Sequence, residues 1–376
     1  MAGIYIHIPF CKKRCSYCDF FSSTDSGSKP LYVNALCRET ALRADELEGQ
    51  SIETVYFGGG TPSQLELSDF EQIFDALQRV FGSRFPKNQE ITLEANPDDV
   101  NSFYISVLKQ FPFNRISLGV QSFDDLELTF LNRRHNAKSA LEAIGLLKSE
   151  GFDNISIDLM YGLPGQSLQS WQKSLEQAVN TGVQHISAYH LTYEQGTPLY
   201  RLLQAGKISP ADEETSLAMF EMLIDSLSAA GFEHYEISNF ALPGFRSRHN
   251  SSYWNGAHYI GLGASAHSYN GRRRQWNASS LAKYVDAVNS GCRCEDYELI
   301  DEKTAYNDFV MTRLRTAEGI SPEGAESLFG KPAADYCLSK AGKFITRGLL
   351  TMTDGHLRLT KKGIFLSDGI ICELMR

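Results

Sequence analysis

The chain has 376 residues, 42% apolar and 22% charged, the balance of a globular protein large enough for two or three domains. Lysine and arginine number 36 against 45 aspartates and glutamates, and the net charge of −9 excludes broad electrostatic attraction to nucleic acid or an anionic membrane. No apolar run reaches the length of a membrane span, the N-terminus lacks the basic-then-apolar pattern of a secretory signal, and eight cysteines are too sparse for a disulfide scaffold. These features read as a cytoplasmic protein with reduced thiols and no integral membrane segment.

The first predicted strand, residues 4–9, runs straight into Cys11, Cys15 and Cys18 within IYIHIPFCKKRCSYCDF. Three thiols so close suit a soft metal or an iron–sulfur cluster. Zinc would need a fourth ligand, which His7 or Asp19 could supply. A redox pair of Cys15 and Cys18 would leave Cys11 unexplained. A three-cysteine [4Fe–4S] cluster with one open iron uses all three, and Lys12, Lys13 and Arg14 offset part of its negative charge.

Five further strands are predicted at residues 54–57, 90–95, 115–121, 154–160 and 185–191. Helical patterns follow at 31–47, 68–81, 98–110, 138–150, 167–181 and 212–230, three of them closed by Gly151, Gly182 and Gly231. Six β–α units imply a parallel sheet, either doubly wound or curled into an open barrel. Near the end of each strand stands a residue foreign to a core: His7, the run Gly58, Gly59 and Gly60, Glu94, Gln121, Asp158, and Tyr189 with His190. Active sites of (β/α) barrels are built at that rim, so the pattern favours the barrel. A glycine-rich turn such as GGGTP bares backbone groups to a ligand, although it lacks the residues of a nucleotide-binding fingerprint.

Beyond residue 231 the texture changes, and a threefold division is expected: a barrel over 1–231, an aromatic and histidine-rich connecting region over 232–299, and a small C-terminal domain over 300–376. The basic run 272–274 reads as a solvated turn, and Cys292 with Cys294 makes a poor zinc half-site. The tail reads as helices over 301–315, 321–328 and 338–347, then a hairpin turning at Asp354 and Gly355, a winged-helix-like α+β arrangement.

The cysteine loop with Tyr17 beside its last cysteine, followed by GGGTP, resembles the radical S-adenosylmethionine (SAM) superfamily. YIHIPFC, YFGGGTP, LEANP, RISLGVQSF, LNRRH, IDLMYGLPGQ and the C-terminal hairpin are together similar to the oxygen-independent coproporphyrinogen III oxidase family. The resemblance implies a partial (β/α)6 radical SAM barrel. It implies a [4Fe–4S] cluster on Cys11, Cys15 and Cys18, whose open iron chelates SAM and whose reduced form cleaves it to a 5′-deoxyadenosyl radical. It also implies SAM contacts from Tyr5, Gly59, Gly60, Thr61, Glu94, Gln121, Arg133 and Asp158, with Tyr17 near the adenine.

Within that family the oxidase branch has a further cysteine two positions after the third, where this chain has Phe20. The chain carries instead an HNxxYW motif, His249 to Trp254, that resembles the heme-chaperone branch. That branch implies heme as cargo and acceptor haemoproteins, such as respiratory ones, as partners. Any approach to a membrane would then run through those partners, and no nucleic acid is implied. Coproporphyrinogen III decarboxylation is the alternative activity. An iron porphyrin needs an apolar slot and an axial ligand. His249 is the first candidate, Tyr253 and Trp254 its ring-packing neighbours, and His258 and His267 the alternatives.

Overall fold

The structure is a computed structural model that describes residues 2–293 and 296–376. Six strands, β1 (Ala2–Ile8), β2 (Ile52–Gly59), β3 (Glu90–Ala95), β4 (Arg115–Gln121), β5 (Ile155–Tyr161) and β6 (His185–His190), run parallel and lie side by side in chain order. Between them run the helices Lys29–Leu42, Leu67–Phe81, Ser102–Leu108, Ala137–Ser149 and Leu168–Asn180, with Glu213–Ala229 after β6. Right-handed crossovers of this kind stack the helices on one face.

The strands alternate accordingly. Ile4, Ile6, Ile8, Val55, Phe57, Leu93, Ile116 and Leu118 are buried in the core beneath the helices. Each such side chain stabilises the fold by about 1.5–3 kcal/mol when fully buried. Helix Leu67–Phe81 buries Phe70, Ile73, Leu77 and Phe81, one helical face. Phe70 and Phe74 from that helix pack with Phe57, Phe111 and Phe113 at ring separations of 5.1 to 6.4 Å. The intervening strand residues are polar: Tyr5, His7, Tyr56, Glu94, Ser117, Asp158 and Ser187 face the concave side. This is the partial (β/α)6 barrel that the strand pattern predicts.

The segment read as a connecting region completes the sheet instead. β7 (Glu233–Glu236) and β8 (Asn239–Ala241) add antiparallel strands beyond β6. On the other edge β9 (His258–Leu262) pairs parallel with β1, and β10 (His267–Tyr269), β11 (Arg273–Trp276) and β12 (Asp296–Leu299) continue antiparallel, giving twelve strands. Short strands broken by glycines escape a periodicity reading. The basic run is thus no solvated turn: Arg274 lies in β11 and pairs with Glu298 and, at 2.7 Å, with Asp308. Cys294 lies outside the described residues.

Tyr306, Val310, Leu314, Phe344, Leu357 and Ile371 belong to a second core. It joins the helices Glu302–Leu314, Pro322–Phe329 and Lys331–Thr346, the hairpin of β13 (Leu350–Thr353) and β14 (His356–Leu359), and two closing helices, Lys361–Ile364 and Ser367–Leu374, that the tail's sequence did not reveal. This part docks onto β7 through backbone bonds from Ile237 N–H to the Arg315 carbonyl (3.1 Å) and from Ala317 N–H to the Tyr235 carbonyl (3.0 Å). No helix among the described residues is long and apolar enough to cross a membrane.

Candidate functional site

The cysteine loop leaves β1 and is tied to its own return segment and to the rims after β3 and β4. Cys11 N–H bonds the Ser23 carbonyl (2.9 Å), Ser16 N–H the Leu131 carbonyl (3.2 Å), and Asn132 Nδ2 the Arg14 carbonyl (2.9 Å). Lys12 pairs with buried Asp99 at 2.8 Å, and Asp99 also accepts from Ser63, Gln64 and Arg134. Tyr17 packs against the apolar group of Leu131, Met160, Leu163, Leu191 and Leu199. The loop is therefore a braced platform, which a precise ligand set requires.

Two of the three sulfurs accept side-chain hydrogen bonds. Thr61 Oγ1 donates to Cys11 Sγ (3.3 Å) and Arg133 Nη1 to Cys15 Sγ (3.1 Å). Such donors favour the thiolate, the form that binds metal, and tune a cluster's potential. Burial acts the other way, pushing the Cys18 thiol up to about 11 and the Cys11 thiol above its ordinary value. Among the described residues no three His, Cys, Asp or Glu side chains gather around one point as a mononuclear metal requires.

The glycine run closes against β1. A Cβ on Gly59, where φ is +103°, would sit 2.4 Å from the His7 ring, and one on Gly60 would sit 2.7 Å from the Ile8 carbonyl oxygen. No side chain fits there, and the bare backbone forms a cradle beside Thr61. His7 Nε2 donates to the Phe21 carbonyl (2.9 Å), so its Nδ1 is the acceptor for the Tyr5 hydroxyl (3.1 Å). Burial lowers the His7 pKa to about 4, keeping it neutral.

Glu94 and Asp158 line the concave face. Glu94 accepts from the Tyr56 hydroxyl (2.7 Å) and from Gly59 N–H (3.2 Å). Burial, opposed by the Tyr56 bond and reinforced by the nearby Asp158 charge, raises its pKa to about 7. Burial likewise raises Asp158 to about 6, against the bond from Ser187 and the charges of Arg115 and Arg133. Two shielded carboxyls perturbed in one direction mark a candidate functional site. Gln121 ends β4 with φ +70°, a left-handed backbone that costs about 1–3 kcal/mol in a non-glycine residue and concentrates at functional sites.

Arg133 joins these parts. Its Nη2 donates to Asn96 Oδ1 (2.6 Å) and the Gly119 carbonyl (2.5 Å), while Nε is buried with no partner among the described residues. A desolvated guanidinium N–H left unpaired is costly unless a ligand satisfies it.

His249, the first candidate for the heme ligand, is deeply buried. Its ring is 1% exposed, stacks on Tyr56 at 4.9 Å, and uses both nitrogens, Nδ1 with Thr54 Oγ1 and Nε2 with Tyr253 Oη, each at 2.8 Å. Burial lowers its pKa to about 3. It stands on helix Arg248–Trp254 with both ring nitrogens engaged.

Its motif neighbours do reach open space. Tyr253 and Trp254 line a cleft of about 1260 Å³ together with Tyr5, His7, Phe20, Phe21 and His267, and with Phe309, Met311, Leu328 and Phe329 of the C-terminal part. Phe20 is 61% exposed and Leu328 65%. His258 is held by Gln50 at 2.6 Å and is not among the cleft residues. Sequence reasoning missed Asn96 and Tyr56, which sit inside the LEANP and YFGGGTP motifs but carry no charge to attract notice. It also missed the C-terminal wall, whose aromatic residues read as core.

The family model of the Radical SAM superfamily matches residues 5–178, and that of the HemN C-terminal domain matches residues 300–366. The heme chaperone HemW of Bacillus subtilis (strain 168) is 32% identical over 373 residues, 98% of each chain. The heme chaperone HemW of Synechocystis is 38% identical over 328 residues, 84% of this chain and 78% of its own. The structure of coproporphyrinogen III oxidase (HemN) from Escherichia coli superposes with a TM-score of 0.87 at 22% identity, over 100% of this chain and 90% of that one, a likeness of fold.

Proposed function

The chain belongs to the HemW heme-chaperone family within the radical SAM superfamily, and from that premise we propose that it binds one heme and passes it to acceptor haemoproteins, respiratory ones among them. It does so in the cytoplasm, reaching membranes only through those acceptors. The observation that carries this reading is the cleft of about 1260 Å³, lined with aromatic and aliphatic side chains from the cysteine loop, the HNxxYW helix and the C-terminal helices. A flat, largely apolar macrocycle needs a slot of this kind. The barrel over residues 1–231 would hold the cofactors, and 232–299 with 300–376 would wall the heme.

The residues fit a cluster and SAM. Three thiols on a braced loop, two of them accepting side-chain hydrogen bonds, form a suitable donor set for a [4Fe–4S] cluster on Cys11, Cys15 and Cys18. The Gly59 and Gly60 cradle, the unpaired Arg133 Nε and the raised Glu94 and Asp158 carboxyls fit an exchangeable SAM with its carboxylate and cationic amine. When bound, the cluster with SAM supplies one-electron chemistry. The chain's own residues orient and shield. Arg133 faces a carboxylate, Glu94 and Asp158 hold the amine, Thr61, Tyr5 and Gln121 complete the rim, and Tyr17 packs beside the cluster loop.

Anaerobic reconstitution followed by hemin titration tests the proposal. Iron–sulfur absorbance and saturable uptake near one hemin per chain are expected. Hemin binding no tighter than to an unrelated globular protein would overturn it. So would robust formation of protoporphyrinogen from coproporphyrinogen III with SAM and a reductant, which would make the chain a decarboxylase.

A further inference from the structure

Resting on the reading that this chain carries heme, we infer that His267 is the axial ligand and Arg313 the partner of a heme propionate, in the cleft between β10 and helix Glu302–Leu314. The argument begins with elimination. Two histidines line the cleft, and His7 spends both ring nitrogens in hydrogen bonds, as the buried His185 and His249 do elsewhere. His267 makes none among the described residues, although it is exposed and lines the cleft. Its ring stacks on Trp276 at 5.9 Å and 29°, which limits its orientation without using a nitrogen. A metal-binding imidazole needs this combination of a held ring and a free lone pair.

The surroundings fit the porphyrin rather than a bare ion. Phe309, Met311, Leu328 and Phe329 supply an apolar wall, and Phe20 supplies another from the cysteine loop. Among the described residues His267 belongs to no group of three or more His, Cys, Asp or Glu side chains such as a mononuclear metal site needs. One ligand with apolar walls is what a macrocycle that brings its own four nitrogens requires.

Porphyrin propionates need a cation at the mouth. Arg274 is committed to Glu298 and Asp308. Arg313, also on the cleft, donates to the neutral Asn255 Oδ1 at 2.9 Å and pairs with no carboxylate among the described residues. Its planar fork matches a carboxylate in two-point contact. Partial burial and the Arg274 charge lower the His267 pKa, favouring the neutral ring that binds iron.

The full-length chain is titrated with hemin and followed by difference absorbance in the Soret region, comparing wild type with His267→Gly, Arg313→Ala and His249→Gln. His267→Gly should lose the wild-type Soret position and weaken hemin affinity by about tenfold or more. Millimolar imidazole, entering the vacated space, should restore the position. Circular dichroism matching wild type shows that the fold survives. Arg313→Ala should weaken affinity while leaving the Soret position in place, and His249→Gln should keep that position. A His267→Gly spectrum identical to wild type, or a ligand signature lost in His249→Gln and kept in His267→Gly, overturns the assignment while leaving the carrier function standing. A wild type that takes up no hemin overturns the carrier function, and with it this assignment.

Discussion

Arg133 Nη1 donates to Cys15 Sγ at 3.1 Å, joining two segments 118 residues apart in sequence. The same guanidinium grips Asn96 and the Gly119 carbonyl at the ends of β3 and β4, so one side chain fixes the cysteine loop against the barrel rim. The cluster platform and the proposed SAM pocket are therefore one mechanical unit.

Arg133→Met should uncouple them. The methionine fills the volume but supplies no donor to Cys15 or to a SAM carboxylate. A charge-assisted hydrogen bond contributes about 1.5–3 kcal/mol, so SAM affinity of the reconstituted protein should fall by roughly ten- to a hundredfold. Arg133→Lys should recover little, because a point charge cannot serve Cys15, Asn96 and Gly119 together. Equilibrium dialysis of labelled SAM measures this, and unchanged affinity in the methionine variant would remove Arg133 from the site.

Glu94 predicts a pH dependence with two signs. Its folded pKa, about 7, lies above its ordinary 4.5. Its contribution to stability is thus fully present below about pH 4.5 and is lost as pH rises through 7. Asp158, raised to about 6, acts in the same direction. A cationic amine, however, needs the ionised carboxylate, so SAM affinity should rise across the same window in which the cofactor-free protein loses stability. Glu94→Gln should flatten both trends. Thermal melts and SAM binding between pH 5 and 8 report the two, and a variant retaining the wild-type pH dependence of SAM binding would exclude Glu94 from contact with the amine.

The barrel was readable from the sequence because its signals are local. Each parallel strand is a short apolar run ending in a polar residue, each helix carries its own buried residues, and three of the helices have a glycine stop. The cysteine triplet, Glu94, Gln121, Arg133 and Asp158 were legible through motif and charge. What could not be read depends on which distant surfaces meet. β9 to β12 are short strands whose pairing is set by the edge of β1. Phe309 and Leu328 look like core residues until the C-terminal part docks at Tyr235 and Ile237. His249 and His267 look alike in sequence, and only their partners separate them: Thr54, nearly two hundred residues away, takes a nitrogen of His249, whereas Trp276 offers His267 only a ring face.

His249, as a buried plug, predicts a stability effect in place of a binding effect. His249→Ala removes a ring stacked on Tyr56 and leaves Thr54 and Tyr253 without partners. The cavity and the unpaired hydroxyls together should destabilise by about 2–4 kcal/mol. The neutral ring also sets an acid limb. With a folded pKa of about 3 against an ordinary 6.5, its contribution is present above pH 6.5 and is lost as pH falls toward 3. His249→Phe keeps the volume and abolishes this proton uptake, so its stability should fall less steeply below pH 6. Urea denaturation at several pH values tests this, and an unaltered acid limb would show that another group governs it.

The buried pair Glu39 and Arg43 connects fold stability to the proposed heme wall. Both are 1% exposed, with Arg43 Nη1 on Glu39 Oε1 at 2.8 Å. Glu39 also accepts from Gly263 N–H, Asn277 and Tyr284, and Arg43 donates to the Gly261 carbonyl and, at 2.7 Å, to Ser268 Oγ. The network thus pins β9 and β10 to the helix Lys29–Leu42, and Ser268 is the neighbour of His267. Arg43→Met strands a buried carboxylate and should cost about 3–5 kcal/mol, whereas adding Glu39→Gln removes the uncompensated charge and should recover part of that loss. In both variants β10 loses its Ser268 anchor. Hemin affinity should therefore drop even in the double variant, while cluster assembly on Cys11, Cys15 and Cys18 is unaffected. Parallel urea melts, hemin titrations and iron–sulfur absorbance separate these effects. Hemin affinity that stays at wild-type level in the double variant would show that β10 does not depend on this anchor to present His267.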